Sequence, residues 1–89
     1  MIQQAITISN KLGLHARASA KLTKLAGSFP CEVWVSRGSR RVNAKSIMGV
    51  MMLAAGIGTE ITLETSGERE QEAMQALADL INDKFGEGE

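Results

Sequence analysis

The sequence predicts a small α+β domain with the element order β-α-β-β-α-β-α. Three observations carry this expectation. Four short runs alternate apolar and polar residues, the period-two pattern of half-buried strands. Longer stretches repeat apolar residues every three to four positions, the pattern of helices lying on a core. Turn-forming residues separate the runs, in a chain of 89 residues that suits one domain, 1–89. With every strand alternating, helices should cover one sheet face and water the other.

The elements follow in order. Ile2, Gln4, Ile6 and Ile8 alternate with Gln3, Ala5, Thr7 and Ser9 as a first strand. Asn10-Lys11-Leu12-Gly13 breaks the pattern with turn residues. From Ala16 to about Gly27, apolar residues at Ala18, Leu22, Leu25 and Ala26, then Phe29, mark a buried helix face. Gly27 is the expected stop, and Pro30 bars continuation. Cys31, Val33 and Val35 alternate with Glu32, Trp34 and Ser36 as a second strand, placing Trp34 on the open face. Arg37-Gly38-Ser39-Arg40 reads as a hairpin turn into a third strand, Arg41-Val42-Asn43-Ala44. Ser46, a good capping residue, opens a short helix running to about Leu53, with Gly56 and Gly58 closing it. Ile61, Leu63 and Thr65 define a fourth strand, and Ser66-Gly67 turns the chain. Ala73, Leu77, Leu80 and Ile81 trace the buried face of a final helix. Glu68, Glu70 and Glu72 in its first turns and Lys84 in its last suit the helix dipole. Gly86-Glu87-Gly88-Glu89 is expected to fray. Strand order stays open at this point, and a ferredoxin-like arrangement fits the first six elements equally well.

Composition narrows the function. Aromatic residues make up 3% of the chain and tyrosine is absent, which argues against a base-stacking surface. Ten basic and ten acidic side chains cancel, which disfavours nucleic-acid binding. Cys31 has no partner for an internal disulfide and reads as a small buried side chain. With one histidine and one cysteine, no metal cluster of the usual kind is expected, and no cofactor is called for. No segment has the length and apolarity of a membrane span, and Met1–Gln4 lacks signal-peptide character, so a cytosolic protein is expected.

The stretch that stands out is Gly13-Leu14-His15-Ala16-Arg17-Ala18-Ser19-Ala20. His15, the sole histidine, falls at a strand-to-helix junction, where first-turn N–H groups lack intrahelical partners and attract anions. Arg17 adds a guanidinium suited to phosphate oxygens. A lone histidine near a helix start is often just a surface residue or a cap. Together with the helix terminus and Arg17, however, it has the makings of a phosphoryl carrier. Imidazole, with a reference pKa of about 6.5, offers a nucleophilic nitrogen near neutral pH.

Asn10-Lys11-Leu12-Gly13-Leu14-His15-Ala16-Arg17 resembles the active-site loop of the HPr family, the histidine-containing phosphocarriers of the bacterial phosphoenolpyruvate-dependent sugar phosphotransferase system. A second HPr-like signature, Lys45-Ser46-Ile47-Met48-Gly49-Val50-Met51, follows at the expected distance, and the resemblance spans residues 2 to about 85. It implies an open-faced β-sandwich: a four-stranded antiparallel sheet of order 1-4-2-3 with three helices on one face. It implies that enzyme I phosphorylates His15 on Nδ1, that the Ala16 and Arg17 amides and the Arg17 side chain hold the phosphate, and that IIA domains receive it. The chain would then be a relay substrate rather than an independent catalyst, acting as a monomer. The resemblance further implies docking through Ala20 and an apolar patch of Ile47, Met48 and Met51. Arg17, Lys21 and Lys24 share one face of the first helix, either as a plain solvated face or as a basic docking edge. Ser46 reads as a helix cap, and by resemblance as a regulatory phosphorylation site for an HPr serine kinase/phosphorylase. The chain departs from the commonest family pattern by having Ala18 and Ser19 where proline and alanine are usual. Proline there would stiffen the first helical turn, whereas Ala18 keeps an extra N–H donor near the phosphate. Two alternatives remain: a carrier in a nitrogen-related branch of the same system, and an interaction module acting through Ser46 without relay. A ferredoxin-like ligand-sensing domain is a more distant third.

Overall fold

Side-chain alternation decides the faces of the sheet, and strand pairing decides its order. In the computed structural model, which describes residues 1–86, the alternating runs become β1 (Ile2–Thr7), β2 (Glu32–Arg37), β3 (Arg40–Asn43) and β4 (Glu60–Ser66). They form one antiparallel sheet of order β1-β4-β2-β3. This is the order that the HPr resemblance implies. The ferredoxin-like alternative is not the one found.

Register puts like with like. Ile6 faces Ile61, Val35 faces Leu63 and Val33 faces Thr65, and all six are buried. On the opposite face Trp34 and Gln3 both lie against Glu64. There Gln3 Nε2 donates to Glu64 Oε1 at 3.0 Å and Arg41 Nη2 donates to Oε2 at 2.7 Å. The Arg41 guanidinium stacks 4.1 Å from the Trp34 ring centre. Trp34 is thus on the uncovered face as expected, but half-buried beneath a cation. Gly38, at φ +60°, supplies the first central residue of the two-residue turn joining Arg37 to Arg40.

The helices are α1 (Ala16–Gly27), α2 (Ile47–Met52) and α3 (Glu70–Asn82), followed by a short 3-10 turn at Lys84–Gly86. α1 buries Ala18, Ser19, Leu22 and Ala26; α3 buries Ala73, Met74, Leu77, Ala78 and Ile81. Leu25 and Leu80 are half-buried, not core: they line a shallow groove with Lys21, Lys24 and Ser28. Phe85 is buried completely and closes the core beneath α1 and α3.

Three expected boundaries shift, each for a physical reason. α2 ends at Met52 with Ala54, not Gly56, in the left-handed region at φ +51°. Arg37 Nη1 holds that turn by donating to the Leu53 and Ala54 carbonyls, both at 2.9 Å. α3 starts at Glu70 because Arg69 sits at φ +63°, so Glu68 precedes the helix. Lys84, at φ +55°, likewise lies past its end. The end of α1 does not shift: the helix stops at Gly27 as expected, without a positive φ there, and Ser28 caps it, its Oγ and N–H both donating to the Leu25 carbonyl. Gly86 is tied in by an N–H bond to Asp83 at 3.0 Å, and the rest of the expected tail, 87–89, lies outside the described residues. Among the described residues no helix is long and apolar enough to cross a membrane.

Candidate functional site

The loop before α1 is fixed before the histidine is reached. Gly13 adopts φ +64°, and a Cβ there would sit 2.4 Å from the Ala55 carbonyl oxygen. Only glycine permits both the turn and that approach. The Leu14 N–H then donates to the same Ala55 oxygen at 2.9 Å. Buried Asn10 reaches forward, its Nδ2 donating to the Gly13 carbonyl at 2.8 Å. The loop is therefore held to the segment following α2, and α2 is brought beside α1.

His15 is the N-cap of α1, with φ −74° and ψ −179°. Its Nδ1 accepts the Arg17 N–H at 3.2 Å. An imidazole can serve as a cap in this way only through an unprotonated nitrogen, so the Nδ1 lone pair points at the helix terminus with the proton on Nε2. A lone pair so placed could act as a nucleophile toward phosphorus. The first-turn amides of Ala16, Arg17 and Ala18 have no carbonyl four residues back within the helix, as the start of any helix dictates. Arg17 is exposed beside the half-buried histidine.

The predicted docking residues divide clearly. Ile47, Met48 and Met51 are 38%, 67% and 39% exposed, against a wholly buried Val50 on the inner side of α2. Ala20 and Lys24 are exposed on α1, which packs beside α2. Lys21 is exposed too, but its Nζ donates to the Phe85 carbonyl at 2.6 Å, so its ammonium tethers the C-terminal turn. Ser46 caps α2, its Oγ accepting the Gly49 N–H at 3.3 Å.

Sequence reasoning missed several contributors. Leu12 and Met52 add exposed apolar surface at 68% and 61%. Arg40 Nη1 donates to the Met52 carbonyl at 2.7 Å, joining Arg37 at the C-terminal end of α2. Ser19, noted only as a departure from pattern, is completely buried and hydrogen-bonded to the Leu14 carbonyl in the loop before α1. A buried hydroxyl on an apolar helix face was the available signal. Among the described residues no group of three or more His, Cys, Asp or Glu side chains could hold a metal ion.

Comparison with known proteins decides the family. Residues 2–83 match the family model described as the PTS HPr component phosphorylation site. The chain belongs to the HPr phosphocarrier family. It is 68% identical to the phosphocarrier protein HPr of Cupriavidus necator and 64% identical to that of Neisseria meningitidis, each over 100% of both chains. The phosphocarrier protein NPr of Shewanella violacea stands at 41% identity over 97% of this chain and 94% of its own. Among solved structures, HPr of Thermoanaerobacter tengcongensis superposes with a TM-score of 0.94 at 46% identity, covering 98% of each chain. The fold, the phosphocarrier role and the place in the phosphotransferase system read from the sequence are those of this family.

Proposed function

We propose that the chain takes a phosphoryl group from phospho-enzyme I onto Nδ1 of His15 and delivers it to IIA domains. The observation that carries this reading is the hydrogen bond from the Arg17 N–H to Nδ1. It presents the nucleophilic lone pair at a helix terminus, whose amides receive the transferred oxygens. The Nδ1 lone pair attacks phosphorus, the N–P bond forms, and the bond between phosphorus and its donor atom on enzyme I breaks. The Arg17 N–H then passes from nitrogen to a phosphoryl oxygen, and the Ala16 amide and the Arg17 guanidinium share the charge. Such a transfer depends on positioning and charge stabilisation. No metal or cofactor is required of this chain.

Partner contact falls to Ala20, Ile47, Met48 and Met51, whose exposure on the packed helices α1 and α2 supports an adaptable apolar patch. Lys24 supplies the charged edge, and Lys21 contributes its stem. Ser46 adjoins this patch at an exposed helix cap, and its phosphorylation by a serine kinase would set a dianion against Ile47 and Met48. The HPr relatives at 68% and 64% identity favour the sugar branch over the nitrogen branch. A cytosolic site of action goes with the full-length match to phosphocarrier proteins HPr.

The test is incubation with phosphoenolpyruvate and enzyme I. The chain should gain one acid-labile phosphate, and His15→Ala should fold and gain none. Phosphorylation of His15→Ala would rule the reading out.

A further inference from the structure

Ser19 holds both peptide groups that flank His15. Its Oγ donates to the Leu14 carbonyl at 3.0 Å, and its N–H donates to the His15 carbonyl at 2.8 Å. The Leu14 carbonyl belongs to the peptide on the N-terminal side of His15, and the His15 carbonyl to the peptide on the other side. Those two planes define φ and ψ of His15, and with them the direction of the Cα–Cβ bond from which the imidazole projects.

We propose that Ser19 is a positioning residue for the phosphoryl-acceptor histidine, an inference that rests on the reading of His15 above. Any residue at this place in the helix would make the N–H bond, because it is the first regular bond of α1. The second bond needs a hydroxyl. Core packing does not call for one: Ser19 is 0% exposed among Ala18, Leu22 and Ala26 on the inner helix face, where alanine would bury no polar group. A hydroxyl placed there must find an acceptor, and the one it finds is outside the helix, in the active loop. The neighbouring residue gives the reason. Ala18 lacks the fixed φ that a proline would impose on the first turn, so the backbone around His15 would be looser without a second tie. The Ser19 hydroxyl supplies that tie from the opposite side of the same turn.

Thr65 provides an internal control. It too is 0% exposed, and its Oγ1 donates to a carbonyl five residues away, that of Glu70, at 2.9 Å, in another part of the fold. Ser19→Ala and Thr65→Val each delete one such bond, and both should lower the melting temperature. Only Ser19→Ala should lower kcat for phosphorylation by enzyme I, by about tenfold with KM within about twofold. It should also move the ¹⁵N shifts of the neutral His15 ring from the Nε2–H tautomer toward a mixture of both. Adding Ala18→Pro to Ser19→Ala should restore kcat and the ring shifts, because proline replaces the lost constraint. Wild-type kcat and ring shifts in Ser19→Ala, the same losses in Thr65→Val, or no recovery in the double variant would each overturn the proposal. If the wild-type chain itself takes no phosphate on His15, the carrier reading fails, and the tautomer shifts still decide whether Ser19 orients the ring.

Discussion

Gly13 shows how one residue couples His15 to a distant loop. Its φ of +64° and the 2.4 Å approach of a hypothetical Cβ to the Ala55 oxygen leave no room for a side chain. Gly13→Ala should cost about 2 kcal/mol, within the usual range for overpacking. That corresponds to a fall of roughly 8 °C or more in melting temperature for a domain of this size, measurable by calorimetry. The rate of phosphorylation should fall with it, because Leu14 loses its bond to Ala55. Arg17 should behave in the opposite way. Its side chain is exposed, so Arg17→Glu should leave stability within about 0.5 kcal/mol while slowing phosphoryl exchange markedly. Unchanged exchange would mean that the backbone amides alone hold the phosphate. His15 and Arg17 were legible because their partnership is local, two residues apart at a helix start. The roles of Gly13 and Ser19 were not: the first depends on a carbonyl 42 positions along the chain, and the second on which way a buried hydroxyl turns.

At the scale of elements, α2 is the piece that sequence reading least explains. Six residues make a marginal helix, and propensity alone would not sustain it in water. It is held at both ends instead. Ser46 caps the start, Lys45 Nζ ties the preceding turn to the Phe29 carbonyl at 2.9 Å, and Arg37 and Arg40 bind the carbonyls of Met52, Leu53 and Ala54. Arg37 and Arg40 read in the sequence only as parts of a hairpin turn, because their acceptors lie 12 to 17 positions away. Replacing both with alanine should loosen the C-terminal end of α2, seen as faster amide exchange at Leu53 and Ala54, and should weaken affinity for enzyme I. A charge added at the other end should act differently. Ser46→Asp keeps an N-cap oxygen beside the Gly49 amide, so thermal stability should hold or rise slightly. Phosphorylation of His15 by enzyme I should nevertheless fall, since the charge would have to be desolvated against the docking patch. Lost stability with intact transfer would make Ser46 a structural cap alone.

Over the whole molecule, alternation and turn chemistry foretold the element order, while the strand order 1-4-2-3 was implied by the HPr resemblance alone and is seen in the pairing. Each strand carries the same inside-outside pattern, so nothing in any one of them says that β4 lies between β1 and β2. The uncovered sheet face and the start of α3 carry the groups that tie stability to pH. Glu64 is held below the usual carboxylate range by hydrogen bonds from Gln3 and then Arg41. Glu70 is held down by the Gly67 N–H and then the Met1 ammonium, and Glu72 by Arg69. A carboxylate that binds protons less readily when folded adds stability above its unfolded pKa and loses it as pH falls. The urea midpoint should therefore stay level from neutral pH downward and decline below about pH 4.3, the reference value for glutamate. Glu70→Gln should make that decline shallower. The effect should be modest because these groups are close to solvent.

The central claim is that the Nδ1 lone pair, aimed at the start of α1, receives the phosphoryl group. It is tested most directly by phosphorylating ¹⁵N-histidine-labelled protein with enzyme I and phosphoenolpyruvate, then reading the ring-nitrogen shifts and their coupling to phosphorus. A single phosphate on Nδ1 of His15, with the Arg17 amide resonance displaced as its hydrogen bond passes to a phosphoryl oxygen, is the predicted result. Phosphate on Nε2, or on any residue other than His15, would contradict it.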